Sequence, residues 1–308
     1  MDIKVIVLQM IQLFLVIALG YLLLKIKILD VDFNRRLTTL LLSVTTPALI
    51  VSSVLSTNIE KQISEIVFVF IVGIVIFLVL PILGFLIVKV MRVPLQQQGL
   101  YIFMTMFSNI GFMGFPVMKS IFGNQAVFLT AIFNMIFNLL VFTAGILFMN
   151  YHSVQKIKIN LKQLLSPGVI ASLVALFIYF TGLQVPDVLS STITMIGDIT
   201  TPIAMLLIGS TLATIPVKEV FTEVRIYPYT ILKQIVIPVI AYPILNAFIR
   251  DPLILGVSLI MLAMPVGNIA VLFATEYQKD VALAAKAVFM TTLLSIVTIP
   301  VIVALFLA

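Results

Sequence analysis

The sequence predicts an all-α polytopic membrane protein of ten helical spans, arranged as two five-helix repeats of opposite orientation. Three observations carry that reading. Of the 308 residues, 62% are hydrophobic and only 10% charged, with a mean hydropathy of +1.27, whereas soluble domains carry roughly 25% charged residues. Apolar runs of about 20 residues, each long enough to cross a hydrocarbon core about 30 Å thick, recur from end to end. A set of short motifs also recurs once, in order, at a nearly constant offset of 155 to 159 residues.

Apolar runs set against polar breaks place the first five spans at 3–24, 37–55, 66–88, 100–122 and 126–149. The second five fall at 164–181, 189–215, 227–248, 253–275 and 281–307. The first repeat is thus 1–150, a polar linker occupies 151–163, and the second repeat is 164–308. The N-terminal apolar stretch is too long for a signal peptide and no small-x-small cleavage site follows it, so it is read as span 1.

Loop charge orients the spans. The loops after spans 1, 3, 5, 7 and 9 hold twelve basic residues: Lys25, Lys27, Arg35, Arg36, Lys89, Arg92, Lys156, Lys158, Lys162, Lys218, Arg225 and Lys279. The opposite side holds four, Lys4, Lys61, Lys119 and Arg250. The excess predicts cytoplasmic odd loops and a cell-membrane protein with both termini outside. Because the net charge of +6 sits in loops and not on one face, it reads as a topology signal and not as a nucleic-acid surface.

Several chemistries are excluded. Cysteine is absent and His152, in the linker, is the sole histidine, so neither a thiolate nor a histidine metal site has ligands. No G-x-x-x-x-G-K-[ST] phosphate loop is present. No nucleophile–base set is visible, and neither enzyme chemistry nor a cofactor is expected.

The repeat is carried by four matches. Thr45-Thr46-Pro47 recurs as Thr200-Thr201-Pro202, Pro81 as Pro238, Arg92-Val-Pro94 as Arg250-Asp-Pro252, and Asn109 as Asn268. An odd number of spans per half forces the second half to enter the membrane from the opposite side. Inverted repeats of this kind are a signature of secondary transporters, with the site near mid-membrane at the repeat interface.

Within the apolar stretches, spans 4 and 9 are interrupted. Span 4 reads Ser108-Asn109-Ile-Gly111-Phe-Met-Gly114-Phe-Pro116 and span 9 reads Met264-Pro265-Val-Gly267-Asn268. Proline removes a backbone donor and glycine lets the chain leave helical geometry. Non-helical backbone is tolerated at membrane depth only where protein or a water-filled cavity covers it. Ordinary kinks and interhelical amide bonds are the structural alternatives. A transport site is the functional reading, with two half-helix N-termini and the Asn109 and Asn268 amides facing an anion. Asp198 is the one carboxylate well inside a span, either a coupling site for a proton or cation or a group reaching interfacial water. Lys233 and Lys286 either supply positive charge to a carboxylate substrate or snorkel to an interface.

These motifs resemble those of the auxin efflux carrier family, which includes bacterial malonate- and malate-type permeases and the plant PIN carriers. Asn109-Ile-Gly-Phe-Met-Gly-Phe-Pro116 with Lys119, Phe122 and Gly123 is similar to the family's span-4 motif. Thr201–Gly209 resembles its span 7, and Met264-Pro265 through Tyr277 its span 9. The resemblance implies a fold like that of the NhaA antiporter and the bile-acid symporters. In it, spans 4 and 9 cross as broken helices at their prolines. Spans 1, 2, 6 and 7 form a scaffold, and spans 3–5 and 8–10 a transport core that moves like an elevator.

The implied substrate is a small mono- or dicarboxylate held around Asn109, Gly111, Gly114, Pro116, Pro265, Gly267 and Asn268. A sodium- or proton-coupled symporter or antiporter is the alternative, and a homodimer in the lipid bilayer is left open. The chain departs from the PIN pattern in having Val266 where those carriers usually have Gln, and in lacking their long cytoplasmic loop.

Overall fold

Helix-start and helix-stop chemistry sets most of the elements in the computed structural model, which describes residues 3–55, 63–151, 165–215 and 220–307. Helix α1 (Ile3–Lys25) is followed by α2 (Val31–Leu55), whose first turn is capped by the Asp30 carboxylate accepting from Phe33 N–H at 2.7 Å. Next come α3 (Ile63–Val90), α4 (Leu95–Met106), α5 (Ile110–Phe122), α6 (Asn124–Val141) and α7 (Ala144–Met149). Gly123, at φ +80°, ends α5 in a conformation that side chains with a Cβ rarely adopt.

The second half begins with α8 (Pro167–Thr181), where Ser166 caps and Pro167 occupies the first turn, the position in which its missing N–H costs nothing. Then follow α9 (Asp187–Thr214), α10 (Ile226–Phe248), α11 (Pro252–Ala263), α12 (Ile269–Glu276) and α13 (Val281–Phe306). Asp251 and Asp280 cap α11 and α13.

Among the described residues, seven helices are long and apolar enough to cross a membrane: α1, α2, α3, α6, α9, α10 and α13. Three further apolar helices, α5, α8 and α11, are shorter. The difference from the ten expected spans has a local cause. Expected span 4 is split into α4 and α5, span 9 into α11 and α12, and α8 is only 15 residues long. The linker 151–163 beyond Tyr151, with His152, Lys156, Lys158 and Lys162, and also Lys61 and Lys218, lie outside the described residues.

Prolines act through wide turns as much as through breaks. Each of three π-helical turns, Leu41–Thr45, Ile110–Gly114 and Leu232–Val236, lies two residues before a proline, respectively Pro47, Pro116 and Pro238. A proline ring clashes with the carbonyl four residues back and offers no N–H, and a turn with i→i+5 spacing relieves that clash. Span 4 therefore does not break at Pro116. It breaks upstream, over Phe107–Asn109, and Pro116 sits buried within α5.

Helices α1 and α9 pack backbone against backbone. A Cβ on Gly20 would stand 2.2 Å from the Leu206 carbonyl oxygen, and one on Gly209 1.8 Å from that of Ile17. No side chain fits at either position. Helix α9 also touches α2 through Gly197 against Leu49, and the C-terminal half of α2 lies along α8.

Candidate functional site

The two interruptions meet. Ser108 and Val266 form an isolated antiparallel bridge, in which Asn109 N–H donates to the Pro265 carbonyl at 2.9 Å and Gly267 N–H to the Phe107 carbonyl at 3.1 Å. Each break thus supplies hydrogen-bond partners that the other loses by leaving helical geometry. Gly267 permits the approach: a Cβ there would lie 3.1 Å from the Ser108 carbonyl oxygen and 3.2 Å from that of Phe107. The Val266 N–H is taken by the Thr291 hydroxyl of α13 at 3.1 Å.

Past each break a half-helix begins, and an asparagine stands at its N-cap. Asn109 precedes α5 and Asn268 precedes α12, yet neither side chain caps its helix. N-cap asparagines ordinarily bond the exposed N–H groups of the first turn. Here both amides are left for another partner. The Asn109 Nδ2 is buried and has no hydrogen-bond partner among the described residues, and buried polar groups are rarely left so.

Both breaks form the wall of a cavity of about 1050 Å³. Ser108, Asn109, Gly111, Gly267 and Asn268 face it, as do Asn134 and Asn138 of α6 and Thr46 of α2. Apolar lining comes from Phe112, Phe115, Phe137, Phe142 and Leu272. Its exposed lining, which marks the mouth, includes Leu165 just before α8, Thr214 at the end of α9 and Glu276 at the end of α12, beside the loops after spans 5, 7 and 9. The N-terminal turns of α5 and α12, represented by Ile110 and Ile269, both border the cavity, and a helix N-terminus carries partial positive charge.

Of the residues singled out in the sequence, Asn109, Gly111, Gly267 and Asn268 are brought together at the cavity. Pro265 belongs to the contact between breaks, through its carbonyl, and Gly114 and Pro116 are buried in α5 away from the cavity wall. Asp198 also lies off that wall, 58% exposed, and pairs with Lys119 of α5 at 2.5 Å. Lys286 is half-buried on α13 and forms no ion pair among the described residues.

Lys233 does not snorkel. It is 1% exposed, and its ammonium donates to the Ser108 Oγ at 2.9 Å and the Thr105 carbonyl at 3.3 Å. The π-helical turn Leu232–Val236 turns both Lys233 and Gln234 inward, and Gln234 donates to the Thr291 carbonyl at 2.9 Å.

Sequence reasoning missed Thr105, Asn134, Thr291 and Gln234. The signal for Gln234 and its neighbour was a Lys-Gln pair just ahead of a proline in an apolar stretch. Thr46 belonged to the repeated Thr-Thr-Pro motif; it lines the cavity, and its buried hydroxyl has no partner among the described residues.

The chain matches the membrane transport protein family model over residues 5–303. It is an auxin efflux carrier family member. It is 24% identical over 309 residues to an uncharacterized transporter of Methanocaldococcus jannaschii, covering 97% of this chain and 96% of that one. A second uncharacterized transporter, from Methanothermobacter thermautotrophicus, is 27% identical over 194 residues, or 62% of this chain and 63% of the relative. With several apolar helices and a family match over nearly its whole length, this auxin efflux carrier relative is a multi-pass membrane transporter.

Proposed function

We propose that the protein is a secondary transporter of a small organic anion, a mono- or dicarboxylate, bound where spans 4 and 9 cross. The observation that carries this reading is the joined pair of helix breaks, with two uncapped N-cap asparagines, on the wall of one large cavity. Two half-helix N-termini and amide donors favour negative charge, and paired interruptions in the two halves of a repeat point to a transport site.

In this reading the ten spans form two inverted repeats, with α1, α2, α8 and α9 as the scaffold. The tight glycine contacts between α1 and α9 support a rigid frame. The core carrying both breaks moves against it by elevator-type alternating access. With the odd loops cytoplasmic by their basic residues, the cavity mouth faces the cytoplasm and the conformation is inward-open.

Coupling to sodium or protons at Asp198 is the competing reading. It draws no support from position, because Asp198 is engaged by Lys119 and stands off the cavity wall. Glu276 is the only carboxylate on that wall among the described residues, and it is exposed at the mouth.

Purified protein in liposomes should show counterflow of a labelled carboxylate, and Asn109→Ala and Asn268→Ala should weaken it while the protein stays folded. Unchanged counterflow in both variants would refute the site. Absence of carboxylate flux across a panel of mono- and dicarboxylates would refute the substrate class.

A further inference from the structure

Lys233 stands behind the first break and not on the cavity surface. An ammonium has three N–H donors and no acceptor, and two of these are spent on Ser108 Oγ and the Thr105 carbonyl. No ion pair joins it to a carboxylate among the described residues. A buried charge without a counter-ion is costly, and proteins ordinarily pair or neutralise it. An anion brought close supplies the missing countercharge.

The link to the cavity is Ser108, which has one proton and two lone pairs. Accepting from Lys233 uses a lone pair and leaves the hydroxyl proton free to point elsewhere. Among the described residues Ser108 makes no other side-chain hydrogen bond, and it lines the cavity beside Asn109, whose Nδ2 is a second donor without a partner there. The neighbouring Thr105 hydroxyl is already spent on the Tyr101 carbonyl at 2.8 Å. The first break therefore presents two donors to the cavity, the Ser108 hydroxyl and the Asn109 amide, with the Lys233 ammonium behind the first of them.

We propose that Lys233 is a positioning residue that sets the anion preference of the cavity, acting through the Ser108 hydroxyl. This deepens the transporter reading and rests on it. The lysine does not touch the substrate. It orients Ser108 as a donor and lends the break its charge, so a carboxylate is held in preference to its uncharged amide. Hydrogen bonds between a donor and a charged group exceed neutral ones by an amount worth about five- to fifteenfold in affinity.

The test uses detergent-purified full-length protein and two probe pairs, malonate with malonamide and phenylacetate with phenylacetamide. Dissociation constants come from the concentration dependence of the thermal midpoint. Wild-type protein should prefer the carboxylate in at least one pair. Lys233→Gln should cut that preference by about five- to fifteenfold, chiefly by weakening the acid and not the amide. A merely structural role would weaken both alike.

Ser108→Ala is the second variant, because it keeps Lys233 on the Thr105 carbonyl and holds the test open if Lys233→Gln does not fold. It should lose the preference as well. Variants that fold and retain the wild-type preference would overturn the role of Lys233 while leaving the transporter reading intact. A wild-type protein with no carboxylate preference in either pair would overturn both.

Discussion

The two helix breaks hold matching places in the two halves of the chain, yet they are built differently. The first, Phe107–Asn109, contains no proline, and its side chains carry the chemistry: Ser108 and Asn109 face the cavity, and Lys233 stands behind Ser108. The second, Met264–Asn268, contains Pro265 and Gly267, and it is fitted to its neighbours through backbone contacts and the Thr291 hydroxyl. Both breaks end in an N-cap asparagine that lines the cavity, but Ser108 with Lys233 behind it belongs to the first alone. Binding energy should therefore concentrate at the first break, and steric intolerance at the second.

The largest effect expected from that contrast is at Gly267. A side chain there presses on two backbone carbonyls that cannot move aside without parting the breaks. Gly267→Val should bring carboxylate counterflow to background and lower stability by about 1–3 kcal/mol. Gly111, the small residue just past the first break, meets nothing within 4 Å of an added Cβ. Gly111→Ala should leave the thermal midpoint within about 0.5 kcal/mol of wild type. Equal tolerance at the two positions would erase the distinction.

Next in size is the difference between the asparagines. Asn109 is buried with an unpartnered amide, whereas Asn268 is half-exposed. If the first amide donates to a carboxylate, Asn109→Ala should raise the counterflow KM about tenfold or more, and Asn268→Ala less, in line with about 0.5–1.5 kcal/mol for an ordinary hydrogen bond. The reverse order would move the centre of the site to the second break.

Thr291 tests the fitted side of the comparison. Its hydroxyl is the acceptor for the buried Val266 N–H. Thr291→Val leaves that N–H without a partner, at a cost of about 1–3 kcal/mol, while Thr291→Ser keeps the bond. Thermal denaturation of the two variants should separate them. A valine variant as stable as the serine variant would show that the second break does not depend on this contact.

The architecture was legible where physics acts locally. Apolar run length, helix caps such as Asp30, Ser166 and Asp251, and the coincidence of Gly, Pro and Asn in two spans all mark features that the helices carry. Break position was less legible. Pro116 has the composition of a breaker, but a wide turn absorbed its missing N–H and clash, so the chain left helical geometry at Phe107–Asn109 instead. Charge placement was least legible. Whether Lys233 snorkels or turns inward depends on where α10 sits against α4, and Asp198 meets Lys119 across 79 residues of sequence. Such pairings arise from tertiary packing, and no window of sequence contains them.

That second pair gives the smallest effect. Lys119 stands one turn from the end of α5, joined to Asp198 of α9, with 27% and 58% of the two side chains exposed. Open ion pairs contribute about 0–1 kcal/mol because hydration and side-chain entropy offset the attraction. Asp198→Asn should therefore shift stability by less than about 1 kcal/mol and leave the preference for a carboxylate over its amide unchanged, since neither partner faces the cavity. Counterflow measured with and without a sodium gradient, and at two pH values, separates this from a coupling role. If Asp198→Asn removed an ion dependence that the wild-type protein shows, the functional charge would lie between α5 and α9, away from both breaks. The contrast between a polar first break and a fitted second one would then describe substrate binding alone.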